Sequence, residues 1–185
     1  TLASLPVAAL ARVYLPMVSN QKDVFAAGST ERISTQWLVQ CVCNYDSWEP
    51  AISADGSMVA FTSIANTIAF DDTNEQPDIF VYDRTARQVE RVSLATGGEQ
   101  SNHASFHPQI SADGRIVAFI SLADNLVAGD TNNQFDVFVH DREANETSRV
   151  SVASTGAQAY GGSDVALSAN GRYVAFSSAS ATLVA

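Results

Sequence analysis

Positive charge is scarce in this 185-residue chain: ten lysines and arginines face twenty aspartates and glutamates, for a formal net charge of −10. Nucleic acid and anionic membrane surfaces both require clustered Lys and Arg, so neither is an expected partner. Cysteine is nearly absent as well. The two present, Cys41 and Cys43, stand in Gln40-Cys-Val-Cys-Asn44, and a lone C-x-C cannot complete a structural zinc site within one chain. Three readings of that pair stay open: a strained local disulfide, a bridge between subunits, or free, partly buried thiols. No apolar run reaches about 18 residues, so no transmembrane segment is expected. Helical signals are missing too, because no 3.6-residue periodicity survives more than a turn. With 46% hydrophobic and 16% charged residues, the composition is nonetheless that of a globular chain with a real core.

Residues 1–11 read TLASLPVAALA and end in Ala9-Leu10-Ala11, the small-x-small pattern that signal peptidases cut. Residues 1–16 are therefore either the remnant of an export signal or an apolar N-terminal arm. Secretion is the expected fate.

The strongest signal is internal repetition. Ile52-Ser-Ala-Asp-Gly-Ser-Met-Val-Ala-Phe61 recurs as Ile110-Ser-Ala-Asp-Gly-Arg-Ile-Val-Ala-Phe119 and again as Leu167-Ser-Ala-Asn-Gly-Arg-Tyr-Val-Ala-Phe176. The glycines Gly56, Gly114 and Gly171 are 58 and 57 residues apart. Asp78-Ile-Phe-Val-Tyr-Asp-Arg84 matches Asp136-Val-Phe-Val-His-Asp-Arg142, and Arg91-Val-Ser93 matches Arg149-Val-Ser151. Each repeat reads as four strands. The first ends at Ile-Ser, where Asp-Gly or Asn-Gly supplies the positive φ of a tight hairpin. The others fall near residues 115–121, 135–140 and 147–152 of the second repeat. Ile116 to Ile120 offer apolar groups to both faces, as a sheet sandwiched between two others requires.

These units resemble the TolB-type β-propeller repeat, whose hallmark is Ile-Ser-x-Asp-Gly-x-x-Val-Ala-Phe. They are most similar to its longer bacterial form, which adds Gly-Asp-Thr-Asn (Gly129 to Asn132) and Asp-Val-Phe-Val-x-Asp-Arg (Asp136 to Arg142). The resemblance implies an all-β fold of propeller blades, each of four antiparallel strands, and a bacterial extracellular, cell-surface or periplasmic location. It leaves activity open, since such propellers serve mainly as scaffolds and interaction platforms. The sialidase Asp-box fits poorly, because the Ser-Ala-Asp-Gly turns lack its aromatic residue.

Chemistry concentrates in one loop of each repeat. Asp72, Asn74 and Asp78, and again Asp130, Asn132 and Asp136, fit Asp-x-Asn-x-x-x-Asp. Oxygen side chains two apart on a tight loop can point inward together, with the later Asp closing from the start of a strand. Calcium takes about 6–8 oxygens, so loop carbonyls and water would complete the set. The alternative is an Asp/Asn-rich turn that bonds only its own backbone. Identical spacing in two repeats favours calcium as a bound cofactor. No His or Cys lies nearby, so a transition metal is not expected.

The three histidines form no triad. In place of His103 and His107 the first repeat has Tyr45 and Glu49, and the third has Gly161 and Val165. No Gly-x-Ser-x-Gly elbow occurs either. The chain is expected not to be an enzyme. Trp48 aligns with Phe106 and Phe80 with Phe138, which argues for packing between blades. Phe70 and Tyr160 lack aromatic counterparts and are candidate exposed contacts.

Finally, the two ends fit each other. Ser19-Asn-Gln-Lys-Asp-Val-Phe25 resembles Asn132-Asn-Gln-Phe-Asp-Val-Phe138, and Glu31-Arg-Ile-Ser34 resembles Glu90-Arg-Val-Ser93. In that register Met17 takes the place of Asp130. About three blades are expected per chain, two whole and one split between the termini. Residues 17–48 form a half blade (third and fourth strands) with its connecting loop, and 49–106 and 107–164 form the whole blades. Residues 165–185 form the complementary half (first and second strands). The expected function is that of a calcium-stabilised module that assembles head to tail by strand complementation. Its partners would be copies of itself, in a six-bladed dimeric ring or an open filament. The alternative is a binding module for a protein or glycan.

Overall fold

A computed structural model describes Ile33, residues 46–69 and residues 72–183. Cys41, Cys43, Phe70, Met17 and the strands expected around residues 22–34, apart from Ile33, lie outside the described residues. What is described is all β. The first sheet holds β1 (Ser47–Ile52), β2 (Met58–Ser63), β3 (Asp78–Asp83) and β4 (Gln88–Arg91). The second holds β5 (Ser105–Ile110), β6 (Ile116–Ser121), β7 (Asp136–Asp141) and β8 (Glu146–Arg149). Both are antiparallel meanders in the orders β1-β2-β3-β4 and β5-β6-β7-β8. A third sheet contains β9 (Val165–Leu167) and β10 (Val174–Phe176), paired antiparallel. The strands β1 and β5 begin at Ser47 and Ser105, two residues ahead of the expected divisions at 49 and 107.

The repeated Ser-Ala-Asp/Asn-Gly turn explains itself. Asp55 Oδ1 accepts hydrogen bonds from Ser53 Oγ (2.8 Å), Ser57 Oγ (2.8 Å) and the Ser57 backbone N–H (2.9 Å). Those bonds hold its carboxyl down at about 2. Asn170 stands in for the aspartate in the third turn, accepting from Ser168 Oγ and the Arg172 N–H. Gly114 is required twice over: its φ is +76°, and a Cβ there would lie 2.6 Å from Met58 Cγ of the preceding sheet. The Asp-Arg pair ending the third strand serves the same hairpin. Arg84 Nη1 donates to the Gly56 carbonyl (2.9 Å) and Arg142 Nη1 to the Gly114 carbonyl (2.5 Å).

Strand alternation sends successive side chains to opposite faces. Ala60, Ile79, Val81 and Val92 of the first sheet pack on Val117, Phe119, Ala123, Leu126 and Phe138 of the second, all essentially inaccessible. The other face of the first sheet presents Val59, Phe61, Ala65, Ile68, Phe80 and Tyr82 to Ile33. These sets superpose by repeat position: Ile33 does before the first sheet what Val92 does before the second. Ile33 therefore supplies to the outer face of the first sheet the contact that Val92 supplies to the second. As the sequence alignment suggests, Phe80 and Phe138 are interior, each stacked within its sheet at 5.9 Å on Phe61 and Phe119. Neighbouring hairpins are also stitched by backbone bonds, Ala54 N–H to Ala112 O (3.0 Å) and Ala112 N–H to Ala169 O (2.7 Å).

Candidate functional site

The loop between second and third strands brings its polar residues together at the start of the third strand. Asp78 is fully buried. Its Oδ1 accepts from Ser93 Oγ (2.5 Å) and Ser101 Oγ (2.8 Å), and its Oδ2 from Asn74 Nδ2 (3.1 Å) and Gln100 Nε2 (3.3 Å). Gln100 Nε2 also donates to Asp72 Oδ1 (2.9 Å). Asn74 Oδ1 accepts from the Gln76 N–H at 2.8 Å, an Asx turn that shapes the loop. Into this cluster, from the end of β4, reaches Arg91. Its Nη1 lies 3.5 Å from Asp78 Oδ2 and 3.6 Å from Asp72 Oδ1, with all three side chains at most 2% exposed.

The second repeat rebuilds the same arrangement. Asp136 accepts from Ser151 Oγ through a very short bond and from Asn132 Nδ2 (2.9 Å). Gln158 Nε2 donates to Asp130 Oδ1 (2.8 Å). Arg149 Nη1 stands 3.1 Å from Asp130 Oδ1 and 3.9 Å from Asp136 Oδ2. Each cluster thus holds two carboxylates and one guanidinium, one negative charge in excess when all are ionised. Burial, joined by the charge of Asp78, pushes the Asp72 carboxyl above its ordinary value despite Arg91. Burial does the same to Asp136.

All six expected ligands therefore converge in two clusters, but the donor set does not fit a hard divalent cation. A guanidinium sits against both carboxylates, where the ion would have to lie. Asn74 and Asn132 present their amide nitrogens, not their oxygens, to the strand-start aspartates. Among the described residues no three His, Cys, Asp or Glu side chains are grouped to hold a metal. Arg91, Arg149, Gln100 and Gln158 were not among the expected site residues. Their signal was present: Arg-Val-Ser repeats at one spacing, and the two glutamines are 58 residues apart.

The histidines stand apart from one another. His103 is exposed. His107 Nδ1 pairs with Glu49 Oε1 at 3.0 Å, while the other Glu49 oxygen accepts the His107 N–H at 2.8 Å. Both residues carry φ of +55° at the strand irregularities of β5 and β1, so the contact joins equivalent positions of adjacent sheets. In the third sheet the pairing Ala166↔Ala175 matches Gln109↔Ala118. That register puts Asp164, not Val165, at the His107 position. The buried His140 shares a hydrogen bond of 2.9 Å with Thr147 Oγ1. Burial holds its pKa below the ordinary value.

Among the described residues, the third sheet is less covered than the two whole ones. Phe61 and Phe119 are wholly buried, but their counterpart Phe176 is only partly so; Ala60 and Ala118 are buried, but Ala175 is exposed. Val139 and Val150 are likewise half-buried where Val81 and Val92 are fully covered. The cause is geometric: the third sheet meets the second chiefly through β9, which packs against β5 and β6. Among the described residues, no strand pairs with the outer edge of β10. Tyr160 and Phe135 are exposed nearby, linked by the Gly161 N–H to Phe135 O bond of 2.7 Å.

No protein-family model and no curated protein sequence matches the chain. Solved structures similar to it include TolB from Acinetobacter baumannii, at 20% identity over 82% of this chain and 29% of that one, with a TM-score of 0.46. The β-propeller domain of the Trilobed protease from Pyrococcus furiosus, described as having an open velcro topology, is similar at 15% identity over 70% of this chain and 33% of its own, TM-score 0.44. An oligogalacturonate lyase in complex with manganese is similar at 12% identity over 66% and 26%, TM-score 0.36. The chain spans a third or less of the length of these structures. The blade architecture itself stands on the sheets described above. No helix among the described residues is long and apolar enough to cross a membrane.

Proposed function

We propose that the chain is a non-catalytic scaffold of propeller blades, working outside the cytoplasm, that associates head to tail with copies of itself by sharing one blade between two chains. The observation that carries this reading is the uncovered third sheet. Each residue of β10, Val174, Ala175 and Phe176, is less buried than its counterparts in the whole blades, and β10 has an unpaired edge among the described residues. An open edge beside half-covered apolar residues is a template for another strand. Residues 19–34 carry the sequence that follows the second strand in each whole blade. Ile33 already packs as the counterpart of Val92, on the face opposite to that which the third sheet extends. A donated pair of strands would thus bring its own outward face for the next blade.

Six blades from two chains make a ring of common propeller size, and a rotation that does not close gives a filament. Sedimentation measures the difference. A particle of two chains or a concentration-dependent series of larger ones is expected; a single-chain mass at all concentrations overturns the reading. The second reading, a binding module, is favoured by the exposed Phe135 and Tyr160, brought near each other by the Gly161 N–H to Phe135 O bond. It predicts the single-chain mass.

A further inference from the structure

We propose that Arg91 and Arg149 are the resident cations of the two loop clusters, each doing the work that a bound calcium ion would do and making the blades independent of it. Four observations carry this. The guanidinium is buried and within 3.6 Å of both carboxylates in the first cluster. In the second cluster it stands 3.1 Å from one carboxylate and 3.9 Å from the other. The two asparagines turn amide N–H groups toward the aspartates, so the strand-start and loop oxygens are not gathered around an empty centre. Serines donate to Asp78 Oδ1 and Asp136 Oδ1 and glutamines to Asp72 Oδ1 and Asp130 Oδ1, while Arg149 Nη1 meets its carboxylates at ion-pair distance without a hydrogen bond.

The fourth observation is in the sequence. The third- and fourth-strand pattern occurs three times, and the strand-start aspartate, the arginine and the serine recur in all three: Asp23, Arg32, Ser34; Asp78, Arg91, Ser93; Asp136, Arg149, Ser151. The first aspartate of the loop does not recur, since Met17 takes its place. A calcium site would lose a charged ligand there, whereas an Asp–Arg pair stays balanced. The constant element is therefore the arginine with the strand-start aspartate, not the three-oxygen set.

The consequence is architectural. Arg149 comes from the end of β8, Asp136 from the start of β7, Asp130 from the loop before it, and Gln158 from the connector that leads to the next blade. One side chain ties the outer edge of a blade to its loop, and the glutamine ties the loop onward to the following blade. These are positioning residues, and the expected readout is stability.

The experiment is thermal unfolding of the whole chain, alongside calorimetric titration with calcium alone. With a chelator and with calcium in the millimolar range, the weak end of protein calcium sites, the parent should melt at the same temperature and give no binding heat. Arg149→Gln strands two buried carboxylates and should lower the melting temperature by on the order of 10 °C. Arg149→Lys keeps the charge and should recover part of that loss. Should Arg149→Gln fail to fold, the parent titration and the Lys variant still decide. A rise in the parent's melting temperature with calcium overturns the proposal, as does equal behaviour of the Gln and Lys variants.

Discussion

Val81 and Val139 hold the same position in β3 and β7, yet Val81 is completely buried and Val139 is not. Their own strands differ only at Ile79/Val137 and Tyr82/His140, and both valines are central residues between two buried rings, Phe80 and Tyr82 or Phe138 and His140. The difference lies across the interface: a four-stranded sheet covers Val81, and a two-stranded one leaves Val139 half open.

This contrast yields the first prediction. Val139→Asp places a charge where a partner's strands would seat but where a single chain already admits water. It should leave the fold intact by circular dichroism and reduce the assembly to single chains. A variant with the parent's particle mass would remove the apolar strip from the proposed contact.

Burial also predicts how much each repeat phenylalanine matters. Phe119→Ala opens a cavity in a closed core and should cost about 3–5 kcal/mol. Phe176→Ala, partly exposed in the third sheet, should cost well under half of that in a single chain. Denaturant unfolding measures both, and equal losses would mean that the third sheet is covered in solution. In an assembled particle the second loss should grow toward the first.

The turn glycines differ in a way that their shared positive φ hides. Gly114→Ala meets Met58 Cγ at 2.6 Å, whereas an alanine at Gly97 meets nothing within 4 Å. Both pay for the left-handed backbone, about 1 kcal/mol, and Gly114→Ala should exceed Gly97→Ala by a further 1–3 kcal/mol, roughly the cost of overpacking. Met58→Ala in the Gly114→Ala background should return part of the loss. No recovery would put the whole cost on backbone strain.

For His140 the pH dependence has a definite sign. Its folded pKa is depressed by burial, partly offset by Glu90 and Asp141 and reinforced by Arg142. The folded state thus prefers the neutral ring. That contribution is fully present above the ordinary value of 6.5 and is lost as pH falls below it. Unfolding followed from about pH 7.5 to about pH 5 should show a shallower decline for His140→Gln than for the parent. Parallel declines would place the acid sensitivity outside His140.

Much of this was legible because the repeat states it three times. The Asp-Gly turns, the strands and the interior places of Phe80 and Phe138 follow from period-two patterning and turn chemistry, both local properties. The loop cluster was legible only in part. Asp72, Asn74 and Asp78 lie within seven residues and announce themselves, but Arg91 and Gln100 arrive from 19 and 28 positions downstream of Asp72. Spacing cannot reveal which cation fills a cluster when the cation is a distant side chain. The register of β9 was missed for a related reason: the repeat shortens from 58 to 57 residues there, and counting alone does not say on which side of a strand the residue was lost.

The bonds from Ala54 to Ala112 and from Ala112 to Ala169 join the hairpins as the rungs of one ladder running across the blades. Such a ladder couples neighbours only, so the array should behave less like one cooperative globule than like a short zipper. Melting would then begin by fraying at the third sheet, which has the thinnest cover, and move inward blade by blade. Adding a neighbour at that end would protect it without touching the first blade. Amide exchange should report this as a gradient of protection along the sequence, steepest between β7 and β10.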